Sequence, residues 1–540
     1  AEKQPIKLSW RKIECLRLLN INKIQTKMRE SRVQKSLLNA KVNLLFYFLS
    51  LGLSFFSRKI FLDCLGAEFL GLSGTLTNIL GFLSLAEMGV GTAVAFNLYK
   101  PLAEDNRLKI SELVSVFGYL YHRIGIFICI VSLILSCFIP LIFKNSQIEL
   151  SIIYFAYFSI LLSSLLGYFI NYKQILLSAD QKNYVVTKYL QSSVLIKITL
   201  QIAISYFYKS LVGWITLEII FAILGCILLN WKISKEYPWL SVSVKKGQQA
   251  YPQNRQIITY TKQIFVHKIK DFLLSQSDQI LIFAFVSLKM VAYYGNYTLI
   301  ITKISQVFLT AMDGFSASIG NLVAEGNKEK IIKIFWEVYC INFVIGGFLI
   351  FSLYHLLEPF IRLWLGAEYI LDHNILILLL INIFIMETRK AVDMFNMAYG
   401  NYGDTWSAWV EGSINILVTI ITAIHWGIIG ILLGKIISLF FIIVLWKPYY
   451  LFSAGLRKKI SIYWNGVFRY LTIFILLFLL NHYIAIMIPI NPNKDFLNWL
   501  LYAICISIPF IISYLIGLYI LCPGGKDLIK RIPIINRHIK

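Results

Sequence analysis

The sequence predicts an all-α polytopic membrane protein with about 14 transmembrane helices, arranged as two parallel six-helix lobes plus two C-terminal helices. Three observations lead to this fold class. Of the 540 residues, 58% are hydrophobic and only 15% are charged, a composition that soluble proteins do not have. Apolar runs of about 20 residues, the length that crosses a bilayer, recur along the chain. A short polar motif occurs once in each half.

The apolar runs form two sets of six, followed by a final pair. In the first half they lie at residues 42–62, 72–98, 115–142, 150–171, 185–207 and 211–231. In the second half they lie at residues 264–287, 292–318, 334–356, 373–395, 405–425 and 427–446, and the final pair lies at 466–488 and 497–521. Each run is long enough for one helical span.

The repeated motif reads LAEDNRLKI at Leu102–Ile110 and VAEGNKEKI at Val323–Ile331, and in each half it follows the second span. Five of its nine positions are identical. Because six spans is an even number, the two halves have the same orientation and are related by a pseudo-twofold axis along the membrane normal. The predicted domains are a basic N-terminal arm (1–41), an N-lobe (42–231), a linker (232–263), a C-lobe (264–446), two further helices (447–521) and a basic tail (522–540).

The positive charges set the predicted orientation. The chain has 51 Lys and Arg against 28 Asp and Glu, a formal net charge of +23. The cation-rich arm, linker and tail all fall on one side of the membrane, and the side with excess positive charge is cytoplasmic. Both termini are therefore expected in the cytoplasm. Anionic lipid accounts for the charge, so the bilayer is the expected partner and nucleic acid is not.

Charged residues inside the spans are the first candidates for function, because burying a charge in a membrane costs several kcal/mol. Lys197, Lys303, Asp278 and Asp313 belong to this group, and Glu87 and Glu411 are further acids of the spans. Polar residues on the same helix faces are Ser54, Gln201, Ser275, Gln306 and Asn415. These uncharged residues either line a shared cavity or make ordinary interhelical hydrogen bonds. The second interpretation is favoured for them.

Two other sets of charges have competing interpretations. Arg58 and Lys59 lie near the membrane interface, where they either act on a substrate or extend their heads to the surface. Glu218 and Lys435 occupy equivalent positions in the sixth and twelfth spans. They are expected to form a structural ion pair, since an unpaired buried charge is costly.

Sites for catalysis, metals and cofactors are not predicted. The seven histidines include no H-x-x-x-H pair, and the chain has no phosphate-binding glycine loop. An ATP-driven pump is therefore not expected. Cations within the spans suggest a substrate with an anionic group, and the acids suggest coupling to H⁺ or Na⁺. The sequence favours a secondary transporter over an enzyme.

Four segments of the first half resemble a known family. They are FSRKIF (56–61), LGAEFLGL (65–72), LAEMGVG (85–91) and LYKPL (98–102). Together they are similar to the N-terminal signature of the polysaccharide-transport flippases of the multidrug/oligosaccharidyl-lipid/polysaccharide (MOP) exporter superfamily. The resemblance implies alternating-access export of undecaprenyl-diphosphate-linked oligosaccharide across a bacterial inner membrane, for O-antigen, capsule or exopolysaccharide assembly. It also implies contact with polysaccharide polymerase machinery.

The resemblance assigns roles to two residues. Arg58 matches the first-helix arginine that such flippases place at the cavity, where a guanidinium suits diphosphate oxygens. Asp278 matches an acidic cavity position of the family. The second-span cation of the related lipid II flippases is absent, since Leu83 and Leu85 occupy that neighbourhood. We therefore expect the diphosphate at Arg58 and Lys303, and ion coupling at Asp278, Asp313 or Glu87.

Two alternatives stay open at this point. A drug or cation exporter of the same superfamily would share the two lobes, although several cations in the spans fit an anionic cargo better. A membrane glycan polymerase or ligase would be an enzyme and would need a larger outward loop for catalysis. The sugar, the coupling ion and the oligomeric state are not encoded in any pattern of the sequence.

Overall fold

The computed structural model describes residues 38–39, 41–83, 90–254, 277–401 and 403–530. Within these ranges, every regular element is a helix. The first part contains α1 (Lys41–Leu65), α2 (Ala67–Leu83), α3 (Val90–Ala103), α4 (Arg107–Ser136), α5 (Leu150–Phe169), α6 (Asn183–Tyr208) and α7 (Leu211–Glu236). The chain is therefore all-α, as predicted.

The second part begins with a helical segment at 277–285. It continues with α8 (Leu288–Glu325), α9 (Lys328–Trp364), α10 (His373–Thr388), α11 (Lys390–Ala398), α12 (Thr405–Leu439), α13 (Ile460–Met487), α14 (Phe496–Leu521) and α15 (Gly525–Lys530). Between α12 and α13 the helix widens into two π-helical stretches, Phe440–Trp446 and Leu451–Gly455, on either side of Lys447–Tyr450. Shorter helices are Ile139–Ile142, Gln174–Ala179 and Val244–Ala250.

Nine helices in the described ranges are long and apolar enough to cross a membrane, so the chain is a multi-pass membrane protein. One of them, the 50-residue stretch Trp406–Gly455, contains two spans. Its backbone breaks at Gly427, where φ is 53° and ψ is −124°. Thr419 Oγ1 donates to the carbonyl of Ile431 at 3.4 Å, although twelve residues of straight helix would extend about 18 Å. The chain therefore reverses at Gly427, in agreement with the predicted boundary between the eleventh and twelfth spans.

The repeated motif has the same local structure in both halves. Asp105 and Gly326, which are equivalent in the repeat, are both left-handed, with φ of 49° and 74°. The asparagine that follows each of them, Asn106 or Asn327, is a helix N-cap. Its side chain accepts a hydrogen bond from the backbone N–H three residues later, at 3.0 and 3.1 Å. This bond satisfies one of the free donors at the helix start, so the motif forms the turn that starts the third span of each half.

The turn between the last two spans of each half is also repeated. Lys209, between α6 and α7, has φ of 48°, and Gly427 has φ of 53°. In the first half, Ser210 then caps α7 by accepting from the N–H of Gly213 at 3.0 Å. A single left-handed residue reverses the chain in both places, which gives each half a closing helical hairpin.

The described chain forms two compact units. The first contains α1 and α3 to α7, and the second contains α2 and α8 to α15. α2 joins the second unit through close helix packing. A Cβ atom at Gly71 would overlap the backbone carbonyl of Leu288, and the Asn78 side chain donates to Gln279 Oε1 at 2.7 Å. Glycine is thus required where α2 touches the start of α8.

The C-terminal pair α13 and α14 packs on α9 within the second unit. α9 lies against aromatic rings of both helices: Trp336 stacks on Tyr470 with a centroid distance of 6.2 Å, and Phe351 stacks on Phe510 at 4.0 Å. A Cβ at Gly347 would lie 2.5 Å from the Tyr514 ring. The two final helices are therefore integral to the core of this unit.

We predict that Gly427→Ala will lower the stability of the purified protein by about 1–3 kcal/mol, because an L-residue is strained in this backbone conformation. Space is not the limiting factor, since the nearest atom to an added Cβ is Val286 Cγ2 at 3.4 Å. Unfolding in detergent, followed by heat or denaturant, will measure the change.

Gly167→Ala is the matched control. Gly167 lies within α5, and no atom lies within 4 Å of an added Cβ. Alanine there should be neutral or should stabilise the helix by about 0.5–1 kcal/mol. Equal effects of the two substitutions would contradict a reversal of the chain at Gly427.

Candidate functional site

A partly buried ion pair joins the fifth and sixth spans in the first unit. Lys197 Nζ of α6 lies 2.6 Å from Glu218 Oε1 of α7, and the two side chains are 14% and 23% exposed. Gln201, one helical turn after Lys197, donates to Glu218 Oε2 at 3.3 Å and to the carbonyl of Trp214 at 3.1 Å. The second bond of Gln201 fixes its amide beside the carboxylate.

A further polar residue of α6 also faces α7. Ser193 is buried and donates to the carbonyl of Phe221 at 2.9 Å. Gly225 lets the helices approach, since a Cβ there would lie 3.1 Å from Ser193 Oγ. Gln201 thus makes its hydrogen bonds in the seam between α6 and α7, which is the interpretation favoured for the uncharged polar residues of the spans.

A second buried ion pair lies in the second unit. Lys435 Nζ of α12 lies 2.8 Å from Asp278 Oδ2, with side chains that are 13% and 8% exposed. The buried Tyr294 hydroxyl of α8 donates to the same oxygen at 2.8 Å. Two donors therefore converge on one carboxylate oxygen of Asp278. Asn78 of α2 donates to Gln279, the residue that follows Asp278 in the chain, so α2 supports this cluster.

The expected pairing of Glu218 with Lys435 is corrected by these two clusters, because each residue has another partner. The equivalence that led to the expectation still has meaning. One position in the last span of each half carries a buried charge, and a residue on another helix of the same unit neutralises it. The sign is reversed between the halves, with the acid on α7 in the first and the cation on α12 in the second.

Polar residues of the eleventh span make hydrogen bonds to the following helix, as those of the fifth span do. Asn415 and Thr419 are buried and hydrogen-bonded at 3.3 Å, and Thr419 also donates across the hairpin to Ile431. Glu411 is fully buried on the same helix. Asn415 and Thr419 thus bind within the α12 hairpin, much as Gln201 of α6 binds α7.

The predicted substrate residues of α1 lie near one another along the helix. Arg58 is partly buried and Lys59 is exposed. Ser54 donates to the carbonyl of Ser50 in its own helix, and Ser57 donates to Ser54. The serines are thus satisfied within α1, which supports the structural interpretation of these uncharged residues.

The other predicted residues lie on α8 or outside the described parts. Lys303 is partly buried on α8, and Gln306, one turn later, is exposed. Glu87 and Ser275 lie outside the described residues, and the side chain of Asp313 is likewise not described. Among the residues that are described, no group of three or more His, Cys, Asp or Glu side chains could hold a metal ion.

Two clusters outside the spans were missed by the sequence analysis. Asp404, before α12, accepts from Lys447 Nζ at 2.7 Å and from Trp446 Nε1 at 3.1 Å. Asp180, before α6, accepts from the Tyr237 hydroxyl at 2.8 Å and lies 3.0 Å from Lys182 Nζ. Each acid precedes one span of a hairpin and binds the end of the other span. These clusters could have been predicted from an acid directly before one span and an aromatic or basic residue at the end of the next span.

These clusters change the pKa values of their members. Burial alone would raise the pKa of Asp404, but the hydrogen bond and charge of Lys447 outweigh it, and the pKa is lowered. The stabilisation from Asp404 is therefore present above its unfolded pKa and is lost as the pH falls through the lower folded value. Burial would lower the pKa of Lys182, but Asp180 and Glu236 raise it overall.

The ion pairs of the spans are suited to exchanging one anionic partner of a lysine for another. The ammonium groups of Lys197 and Lys435 are each held by one carboxylate, and a second anion that approached either of them would compete for the same donors. Protonation of the carboxylate would release the ammonium in the same way. Such pairs can respond to an anionic ligand or to a coupling ion.

Comparison with solved structures identifies the fold. The structure is similar to the lipid II flippase MurJ in an inward closed conformation, with a TM-score of 0.59 and 17% identity over 91% of this chain and 100% of that chain. It is also similar to an inward-facing multidrug resistance MATE family transporter of the MOP superfamily, with a TM-score of 0.54 and 13% identity over 77% of this chain and 99% of that chain. No protein-family profile and no curated protein sequence matches the chain. The chain therefore has the fold of MOP superfamily transporters.

We predict that breaking the Asp278–Lys435 pair from one side will be more harmful than removing it entirely. Asp278→Asn and Lys435→Met should each lower the free energy of unfolding by about 3 kcal/mol, because each leaves one buried group without its partner. The double variant should recover part of this loss. Unfolding of the purified variants in detergent will give the coupling energy.

A surface pair provides the control for this cycle. Lys333 and Asp527 lie 2.9 Å apart with side chains that are 54% and 32% exposed. Asp527→Asn should change stability by less than about 1 kcal/mol. Strictly additive losses for Asp278 and Lys435 would show that the two charges do not stabilise each other.

Proposed function

We infer that this protein is a secondary transporter that moves undecaprenyl-diphosphate-linked oligosaccharide from the cytoplasmic to the outer leaflet of a bacterial inner membrane. The observation that carries this proposal is the presence of two partly buried lysine ammonium groups within membrane-spanning helices, Lys197 at 2.6 Å and Lys435 at 2.8 Å from one carboxylate each. Fold similarity to a lipid II flippase supports a lipid-linked cargo, and the N-terminal resemblance supports a glycan.

The chemistry of the cargo explains why such cations would be kept in the spans. A diphosphate offers more charge and more acceptor oxygens than one carboxylate, so it can compete for an ammonium. The lipid tail can remain in the bilayer while the headgroup crosses. Arg58 and Lys303 remain the predicted diphosphate contacts, because a guanidinium binds phosphate oxygens in two-point fashion. In this proposal the buried pairs open as the headgroup passes.

The remaining parts of the proposal concern orientation and partners. Excess positive charge in the arm, linker and tail supports a topology with both termini in the cytoplasm. The product would be delivered to the outer leaflet, where a polysaccharide polymerase machinery would consume it. The energy would come from alternating access coupled to H⁺ or Na⁺, with Asp278, Asp313 and Glu87 as the proposed coupling acids. No enzymatic step is needed.

A second candidate function is export of drugs or other cations. The similarity to a multidrug resistance MATE family transporter supports it. Its weakness is the sign of the buried charge: Lys197 and Lys435 both lie inside the spans, and a cationic cargo would be repelled by an ammonium released from its carboxylate. An anionic cargo would instead be attracted. For this reason the flippase is the preferred function.

Arg58→Ala should slow transport of the lipid-linked glycan about tenfold or more, since a charged hydrogen bond to phosphate contributes about 1.5–3 kcal/mol. The assay uses proteoliposomes that contain the purified protein and an undecaprenyl-diphosphate-linked oligosaccharide. A lectin or glycosidase added outside detects glycans that have crossed.

Lys144→Ala is the control for Arg58→Ala, since Lys144 is an exposed cation in the loop before α5. It should transport at the wild-type rate. Unchanged transport by Arg58→Ala would contradict the proposed diphosphate contact. Efflux of a cationic dye, with no movement of the glycan in the wild type, would favour the drug exporter.

Asp278→Asn should uncouple transport from the ion gradient. The amide cannot take up a proton or offer a charge to Na⁺, so imposed gradients of either ion should no longer accelerate glycan movement, while exchange between leaflets without a gradient persists. Glu329→Gln, at an exposed acid in the first turn of α9, is the control and should keep the acceleration. A full gradient response in Asp278→Asn would exclude this residue as the coupling acid.

A further inference from the structure

An aromatic pocket lies where the eleventh, twelfth and thirteenth spans end on one membrane face. It has a volume of about 400 Å³. Its lining includes Trp406, Leu445, Trp446, Tyr449, Ile460 and Trp464. These residues come from the start of α12, the π-helical stretch Phe440–Trp446, the short helix Lys447–Tyr450 and the start of α13. All are within the second unit.

The local backbone explains why the pocket exists. The reversal at Gly427 brings Trp406 beside Trp446, with ring centroids 4.7 Å apart. Trp446 is fixed by its hydrogen bond to Asp404 at 3.1 Å and by stacking on Tyr450 at 5.9 Å. The π-helical stretch widens the turn that carries Trp446, a feature that often occurs at functional sites. The wall of the pocket is therefore built before any ligand arrives.

The exposure of its rings places the pocket at the membrane interface. Trp406 is 46% exposed and Tyr449 is 48% exposed. Both rings lie at span ends, and amphipathic aromatic rings at span ends belong at the level of the lipid headgroups. One side of such a pocket meets acyl chains and the other meets phosphate groups.

The charge at the rim is positive. Arg457, Lys458 and Lys459 are consecutive and exposed, and they directly precede the pocket residue Ile460. The loop that carries them is held by a backbone hydrogen bond from Lys458 N to Phe452 O at 2.8 Å. Asp404, the acid that holds Trp446 of the pocket, already binds Lys447. The three cations are thus not neutralised by that acid.

We propose that this pocket binds one anionic phospholipid, with the phosphate over Lys458 and Lys459 and the start of an acyl chain against Trp406, Trp446 and Trp464. The rim supplies the charge that an anionic headgroup requires, and the indoles supply the apolar wall for the chain. The ligand is a resident lipid rather than the cargo. This site is independent of the transport function proposed above.

Native mass spectrometry of the full-length protein will test the site. Protein released from mixed micelles with equal phosphatidylglycerol and phosphatidylethanolamine should retain phosphatidylglycerol. The variant Lys458→Gln/Lys459→Gln should lose this preference by about fivefold for each lysine, the contribution expected of a cation near an anionic surface. Lys494→Gln, an exposed cation in the loop between α13 and α14, should retain it.

A second measurement locates the acyl chain. Phosphatidylglycerol with brominated chains should quench indole fluorescence more strongly than brominated phosphatidylethanolamine, and Trp464→Phe should reduce the difference. Equal quenching by both lipids, or full retention of phosphatidylglycerol by the double lysine variant, would overturn the proposal. Displacement of phosphatidylglycerol by equimolar undecaprenyl phosphate would also overturn it, because the occupant would then be the carrier lipid.

Discussion

The need to neutralise charge inside the membrane determines how the spans of this protein pair. A lysine or acid within a span is stable only with a partner or with water. In the first unit Lys197 binds Glu218, and in the second unit Lys435 binds Asp278. Both pairs are completed by neutral donors, Gln201 and Tyr294, which occupy further lone pairs of the acids. The charges of each cluster are thus neutralised within its own unit. This requirement determines which helices lie next to each other.

The parts of the fold that depend on chain-local chemistry were predictable from the sequence. Apolar length gave the helices, and the repeated motif gave turns that proved equivalent in detail, with left-handed Asp105 and Gly326 each followed by an asparagine cap. The reversal at Gly427 falls at the expected boundary between the two apolar runs 405–425 and 427–446. All of these features are set within a few residues of one another, where spacing and residue type are sufficient.

The pairing of buried charges was not predictable, because it depends on how each helix is rotated about its axis. The repeat correctly made Glu218 and Lys435 equivalent, yet equivalence of position does not bring two residues together. The role of Tyr294 could not be predicted, because the sequence does not distinguish a tyrosine whose hydroxyl binds Asp278 from any other aromatic residue of an apolar span. The inclusion of α2 in the second unit likewise depends on contacts at Gly71 and Asn78 with residues about 200 positions later.

The same electrostatic argument separates cargo recognition from lipid recognition. In the spans, Lys197 and Lys435 are already bound to acids, so any anion that reaches them must displace a carboxylate. At the aromatic pocket, the exposed Lys458 and Lys459 sit at a water-accessible rim, and an anion there displaces only water and salt ions. Binding in the spans is therefore conditional on breaking a pair, which suits a transient cargo. Binding at the rim has no such condition, which suits a lipid that remains bound.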